Sequence, residues 1–365
     1  VLCCNVTIFT LAMQMQLVPY ICFCIMDSLT QIVLGAACGE IALGKKIGNK
    51  ALLFGAIGGT IRDLDVFVGN WIFKNEIDAM LFHRGFMHSI LFSVLGAFLF
   101  GWLIYKLYNT GKRINTTTKK DWIWLFFLSL FTHPILDCFT PYGTQLFAPF
   151  SNYRFAFNNI AVVDPLYTIP FLLCIIVMMF FRRNTNRRVL WLKLGLGISS
   201  AYLLFTIGNK LYMDAVFKSS LKEKGITYKR YYSQPTIFNN VLWYGVAETD
   251  DFYFVAYYSL LDSKDEFSDW MELPKIRDLK SDDYKRVKDL AWFSNHYYSI
   301  YKINEDTYRY NDLRYPLSDP KNPNSSVFSF LLYKDNGQLN IKPRERNDDN
   351  IGEAMASLWK RMKGK

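Results

Sequence analysis

Residues 83–105 read HRGFMHSILFSVLGAFLFGWLIY, and the contrast inside this stretch decides how the rest of the chain is read. Its last 17 residues carry no charge. At about 1.5 Å per helical residue they reach roughly 26 Å, close to the thickness of a hydrocarbon core. Its first six residues set His83, Arg84 and His88 directly against that apolar run. A polar cluster abutting a membrane-length helix predicts a site at one membrane face.

Working outward, three more runs share this length and character: residues 122–136, continuing to 139 through His133 and Asp137; residues 165–181; and residues 189–208, with Lys193 as their one charge. Two weaker runs precede them. Residues 28–44 contain Glu40, and residues 51–73 are interrupted by Arg62, Asp63 and Asp65. Residues 1–25 are apolar, cysteine-rich and uncharged, and read as an extension ahead of a start at Met26. The expected fold is a polytopic α-helical membrane domain of about 4–6 segments over residues 26–208. A smaller α+β domain follows over residues 209–365.

Composition supports two regions. The chain has 365 residues, 51% hydrophobic, yet a mean hydropathy of only +0.06. The average mixes an apolar first part with an ordinary polar second part. Residues 1–208 hold 17 of the 42 basic and 9 of the 32 acidic residues, leaving 25 and 23 for the rest. The basic excess therefore lies in turns between apolar runs. This pattern fits the rule that cytoplasmic loops are positive and argues against nucleic-acid binding. Residues 106–120 and 182–188 are the basic loops, whereas 140–164 hold only Arg154. The first two are placed in the cytoplasm and the third outside, which makes the C-terminal domain extracytoplasmic. The seven cysteines (Cys3, Cys4, Cys22, Cys24, Cys38, Cys138 and Cys174) lie in or beside apolar runs without zinc-ribbon spacing, and read as small buried hydrophobes.

In the distal region, residues 227–232, 241–248 and 252–261 are rich in Tyr, Val, Phe and Trp and predict strands. Residues 321–326 predict a turn, and 351–362 a terminal helix. His296 is read as a structural histidine.

An ionised side chain in a bilayer costs roughly 2.5–3.5 kcal/mol even on lenient scales, so polar residues in apolar helices point to function. With the topology above, His83, His88, His133, Asp63, Asp65, Asp137 and Asp164 all fall near one face, while Glu40 lies toward the other and reads as structural. His133 and Asp137 are four residues apart and share a helix face. Three imidazoles with carboxylates form a mixed N/O donor set suited to Zn²⁺ or Mn²⁺ and ill suited to Cu(I).

The order of motifs resembles the YdjM-like family of membrane-bound, metal-dependent hydrolases. It is carried by MDSLTQ at 26–31, Asp63-Leu64-Asp65, His83-Arg84-Gly85 with His88-Ser89, His133 with Asp137, TPYGTQ at 140–145, RFAF at 154–157 and Val163-Asp164-Pro165. The resemblance covers about residues 26–210. It implies an inner-membrane protein whose metal site draws on Asp63, Asp65, His83, His88, His133 and Asp137. Two positions depart from the family pattern: Arg62 stands where members often have proline, and Gln31 where some have histidine.

The expected function is a metal-dependent hydrolase at the outer membrane interface, acting on a lipid-linked or phosphoester substrate reached from the bilayer. Asp65 or Asp164 would orient water or accept its proton, and Arg84 would hold an anionic group of the substrate. Two rivals remain: a non-catalytic scaffold with a structural metal, and a metal or proton transporter.

Overall fold

The computed structural model describes residues 18–73, 75–279, 284–317, 325–326, 328–335, 338–343 and 349–364, with side chains from Ser28 onward. The expected extension therefore lies largely outside the described residues, as do the 321–326 turn, apart from its last two residues, and the side chains of Cys3, Cys4, Cys22 and Cys24. The chain divides into two compact units. One joins residues up to Ile72 with Phe82–Phe205; the other joins Phe73–Leu81 with Thr206–Lys365.

Up to Glu223 the described chain is built of helices. Helix α1 (Val18–Ile47) turns through Gly48 into α2 (Asn49–Thr60). A 3-10 turn (Arg62–Leu64) leads to α3 (Asp65–Ile72) and, after α4 (Glu76–Phe82), a second 3-10 turn (Phe86–His88) leads to α5 (Ile90–Tyr108). Helices α6 (Lys119–Asp137), α7 (Pro165–Met179) and α8 (Asn186–Glu223) follow.

Helices α1 and α2 pack backbone to backbone. Gly35 and Gly39 on α1 meet Gly55 and Gly59 on α2, and a Cβ at any of the four would collide with main-chain atoms of the other helix. Such small-xxx-small faces let helices approach where lipid offers no hydrophobic drive. Helix α6 packs against α1, α2 and α5, burying Trp122, Leu125, Phe126 and Leu130 with Leu43, Ala51 and Ala97. Its start is fixed by a capping box between Thr118 and Asp121. Cys38, Cys138 and Cys174 are buried and free.

The expectation of about 4–6 membrane segments is corrected. Among the described residues, two helices are long and apolar enough to cross a membrane: α5, and α8 with its 38 residues. Helix α6 opens with Lys119, Lys120 and Asp121 and ends on Asp137, and Trp122, Leu125, Phe126, Leu130 and Leu136 are buried. Helix α7 has 15 residues, about 22 Å, against a core of about 30 Å. The run at 51–73 breaks into helices of 12 and 8 residues around Arg62–Leu64. Apolar runs in the sequence do not record where helices begin and end, nor whether their surface is covered by protein. In the crossing-competent stretches only 22% of α5 and 17% of α8 is buried.

Far from the donor cluster, Arg188 in the first turn of α8 makes a two-pronged ion pair with Glu40, both contacts 2.7 Å. Both side chains are buried. Arg188 is thus an internal clamp, not the loop charge it resembles in the sequence, and Glu40 is its counter-ion.

The second unit contains two four-stranded antiparallel meanders, one ordered β1-β2-β3-β4 and ending on β4 (Ser268–Pro274), the other formed in order by β5 (Tyr298–Lys302), β6 (Thr307–Asp312), β7 (Ser329–Asp335) and β8 (Gln338–Pro343). Strands β1 (Arg230–Pro235), β2 (Leu242–Glu248) and β3 (Phe252–Ser259) fall on the tyrosine- and valine-rich runs. Met213, Val216, Phe217 and Leu221 of α8 pack against Trp243, Ala247, Ala256 and Tyr258. Gly245 leaves the space that the Phe217 ring fills. Buried tyrosines find main-chain acceptors: Tyr244 donates to Leu313 O at 3.1 Å and Tyr253 to His296 O at 3.1 Å. His296 is exposed at the surface, and partial desolvation together with Arg230 and Arg277 pushes its pKa below the ordinary value. Helix α9 (Lys285–Phe293) lies between the two meanders in the chain, and α10 (Asp349–Met362) follows the second.

Candidate metal centre

Four donor atoms converge in the first unit. Asp63 comes from the turn after α2, His88 from the turn before α5, and His133 and Asp137 from the last turn of α6. His133 Nε2 lies 3.4 Å from Asp63 Oδ1 and 3.3 Å from Asp137 Oδ2. His88 Nε2 lies 3.6 Å from each of the same two oxygens. Asp63, His88 and His133 each offer a ligand atom within 4.8 Å of the others. These spacings are long for hydrogen bonds. They match the edge of a coordination polyhedron: ligands about 2.0–2.1 Å from a tetrahedral zinc lie roughly 3.3–3.4 Å apart. Both His88 ring nitrogens and Asp137 Oδ2 are buried with no hydrogen-bond partner. Buried polar atoms are rarely left so, and the convergence gives a reason.

The surrounding groups fix how these donors point. His133 Nδ1 is 2.6 Å from Gly59 O. A carbonyl only accepts, so Nδ1 carries a proton and Nε2 is the nitrogen that faces the cluster. The tight α1–α2 pairing is what brings that carbonyl within reach. Ser28 donates to Asp63 Oδ2 at 3.0 Å, and Gln31 donates to Asp137 Oδ1 at 2.9 Å. Each leaves the other carboxylate oxygen for the cluster.

Asp65 and His83 stand one layer out. Asp65 Oδ2 is 3.1 Å from His88 Nδ1, the nitrogen facing away from the cluster, and Oδ1 is 2.7 Å from His83 Nδ1. Asp65 also accepts from the Arg84 amide at 3.0 Å. Both aspartates lie outside the two crossing-competent helices. Burial would raise their pKa values, but His133 and His88 hold Asp63 well below the carboxylate range, and His83 and His88 do the same for Asp65.

Arg84 has a left-handed backbone, φ 58°, a conformation uncommon outside glycine. It aims the guanidinium at Thr140 Oγ1, 2.8 Å, and toward Asp137 Oδ1, 3.6 Å. The ring of Tyr142 lies under both Arg84 and Arg154. Arg154 donates to His83 O at 2.9 Å, tying down the loop that bears the histidines.

Asp164 is not brought into the cluster. It caps α7, accepting from Leu166 N at 3.0 Å and Tyr167 N at 3.4 Å, and takes the Tyr202 hydroxyl at 2.8 Å. It shares with Asp137 the wall of a cavity of about 20 Å³ behind the donors. In the structure Asp164 serves as the N-cap of α7.

Sequence reasoning passed over two contributors. Gln31 continues the Gly35 and Gly39 face at spacing four, and that stripe marks it as facing α2. Arg62 is fully buried and donates to Met87 O at 2.8 Å, to Ser89 O at 3.3 Å and to the Ser93 hydroxyl. It grips the backbone on both sides of His88. A cation inside an apolar run was the available signal.

Comparison with known proteins agrees with the motif order. The profile of the YdjM inner membrane protein family matches residues 26–212, just over half of the chain. A Bacillus subtilis (strain 168) protein named "Uncharacterized protein YfhP" is 29% identical over 159 residues, 42% of this chain and 46% of that protein. The chain thus spans about half the length of that relative. No solved structure matches. With the profile covering Asp63, His88, His133 and Asp137 alike, the chain belongs to the YdjM inner membrane protein family.

Proposed function

We propose that this chain is a membrane-bound, metal-dependent hydrolase whose ion is held by Asp63, His88, His133 and Asp137. The observation that supports this best is the pair of orphaned buried atoms, His88 Nε2 and Asp137 Oδ2, at polyhedron-edge distances from their neighbours. Two imidazoles and two carboxylates suit Zn²⁺ or Mn²⁺. A divalent ion supplies Lewis-acid polarisation to water or a substrate oxygen.

The protein's own residues do the rest. Gly59 O and Asp65 orient the two imidazoles. Gln31 and Arg84 hold Asp137 by one oxygen. The Arg84 charge beside the donors favours an anionic substrate, of lipid-linked or phosphoester class. The cluster precedes α5, at the end opposite the basic 106–120 segment. The positive-inside rule then puts it on the outer side of the membrane and the chain beyond α8 outside as well.

Metal content is the test. The full chain is purified in detergent without chelator beside a His133→Ala/Asp137→Ala double variant, and bound metals are quantified by mass spectrometry. Near-stoichiometric zinc or manganese lost in the variant is expected. Folded wild type that stays metal-free after reloading with both ions would overturn the reading.

One observation favours a scaffold with a structural metal. Of the four side chains only Asp63 reaches solvent, at 17% exposure against 0–2% for the others. Melting on chelation, with no turnover of lipid or phosphoester substrates by loaded protein, would select it.

A further inference from the structure

At the other end of the first unit, two turns form an open basic cradle. Residues 47–50 join α1 to α2, and residues 180–185 join α7 to α8. Residues 47–50 and 181–185, together with Arg188, line an open cavity of about 640 Å³. Four cations stand in its wall: Lys50, Arg182, Arg183 and Arg188. Arg188 is neutralised by Glu40. Among the described residues the other three have no acidic partner, and their side chains are exposed.

The cradle is held in shape. Asn49 donates to Met179 O at 2.9 Å and accepts from Arg188 at 2.7 Å. Arg188 also donates to Phe181 O at 3.0 Å, and Arg183 donates to Lys46 O. These part-buried and exposed bonds join both turns, and the Lys50 and Arg182 charges stand exposed beside them. Exposed apolar side chains adjoin the rim: Phe180 at 83% and Leu190 at 60%. Helix α8, apolar enough to cross a membrane, starts here. This combination of unpaired cations, a cavity and apolar flanks at a membrane-helix end is what an anionic lipid requires.

We propose that this cradle binds the phosphate headgroup of an anionic phospholipid from the cytoplasmic leaflet, with its acyl chains lying along α7 and α8. The site is separate from the donor cluster and independent of any hydrolase activity. Lys50, Arg182 and Arg183 contact the phosphate, while the Asn184 side-chain amide offers hydrogen-bond donors.

The test is retention of lipid by the full chain. Wild type, Lys50→Gln/Arg182→Gln and a control Lys112→Gln/Lys120→Gln are reconstituted in nanodiscs of phosphatidylcholine containing phosphatidylglycerol. Bound lipid is counted by native mass spectrometry after release into detergent. The control removes two exposed charges outside the cavity. Removing two headgroup cations is expected to weaken phosphatidylglycerol binding about 30-fold, with no change in the control or in melting temperature. Equal lipid retention by all three proteins would overturn the proposal. So would equal losses in both variants, which would show bulk charge attraction. Inorganic phosphate displacing the lipid completely at low millimolar concentration would point to a soluble anion instead and overturn the lipid assignment.

Discussion

Replacing Asp65 with asparagine separates a residue that holds the metal from one that holds its ligand. In the structure Asp65 reaches the cluster only through His88, whose far nitrogen it faces at 3.1 Å, while its other oxygen is 2.7 Å from His83. Asparagine keeps the shape and one acceptor. Its NH₂ group must then face the Arg84 amide, 3.0 Å from the present oxygen, or one of the imidazole N–H groups. One buried donor is left unmatched, at a cost of about 1–3 kcal/mol. Loss of such an orienting carboxylate typically weakens metal binding 10–100-fold, about 1.4–2.7 kcal/mol. The assay is zinc competition against a chromophoric chelator in detergent, comparing wild type, Asp65→Asn and Asp137→Asn. Asp65→Asn should still bind one equivalent with affinity reduced 10–100-fold, while Asp137→Asn should lose far more. Complete loss of binding in Asp65→Asn would show Asp65 to be a ligand; unchanged affinity would show that it does not orient His88.

Three further outcomes follow from the packing. Gly55→Leu drives a side chain into the main chain of α1 at Gly35 and Gly39, and is expected to separate the two helices, lower thermal stability by several kcal/mol and reduce metal content through loss of the Gly59 contact; a stable, metal-loaded variant would contradict the close approach. Arg188→Ala leaves Glu40 buried without its partner and should cost about 3–5 kcal/mol in a chemical melt, whereas Arg188→Ala/Glu40→Ala should recover part of that loss. Asp164→Ala removes the α7 cap at about 1 kcal/mol without altering metal stoichiometry or affinity; a loss of zinc would restore Asp164 to the site.

Much of the donor set was legible because charge in an apolar run is costly wherever the chain goes. His88, His133, Asp63 and Asp137 stood out for that reason alone. Their ranking did not. Asp63 and Asp65 are two residues apart and look equivalent in the sequence, yet the 3-10 turn at Arg62–Leu64 sends one carboxylate into the cluster and the other behind His88. His83 and His88 look like a pair, but only His88 reaches the cluster. Arg62 stands out in the sequence only as a departure from the family pattern, yet it secures the backbone around His88.

The sequence by itself determined that polar donors sit among apolar helices, that a tyrosine-rich strand region follows, and that the basic turns cluster. These depend on composition and local spacing, which survive any arrangement of the helices. Tertiary structure decided which apolar helices keep an exposed surface long enough for a bilayer, and which donors face one another. Both depend on contacts between residues far apart in the chain. Gly59 lies 74 residues from the histidine it orients, and Glu40 lies 148 from the arginine it neutralises. No local pattern carries such pairings, because each forms only once the glycine faces of α1 and α2 have closed.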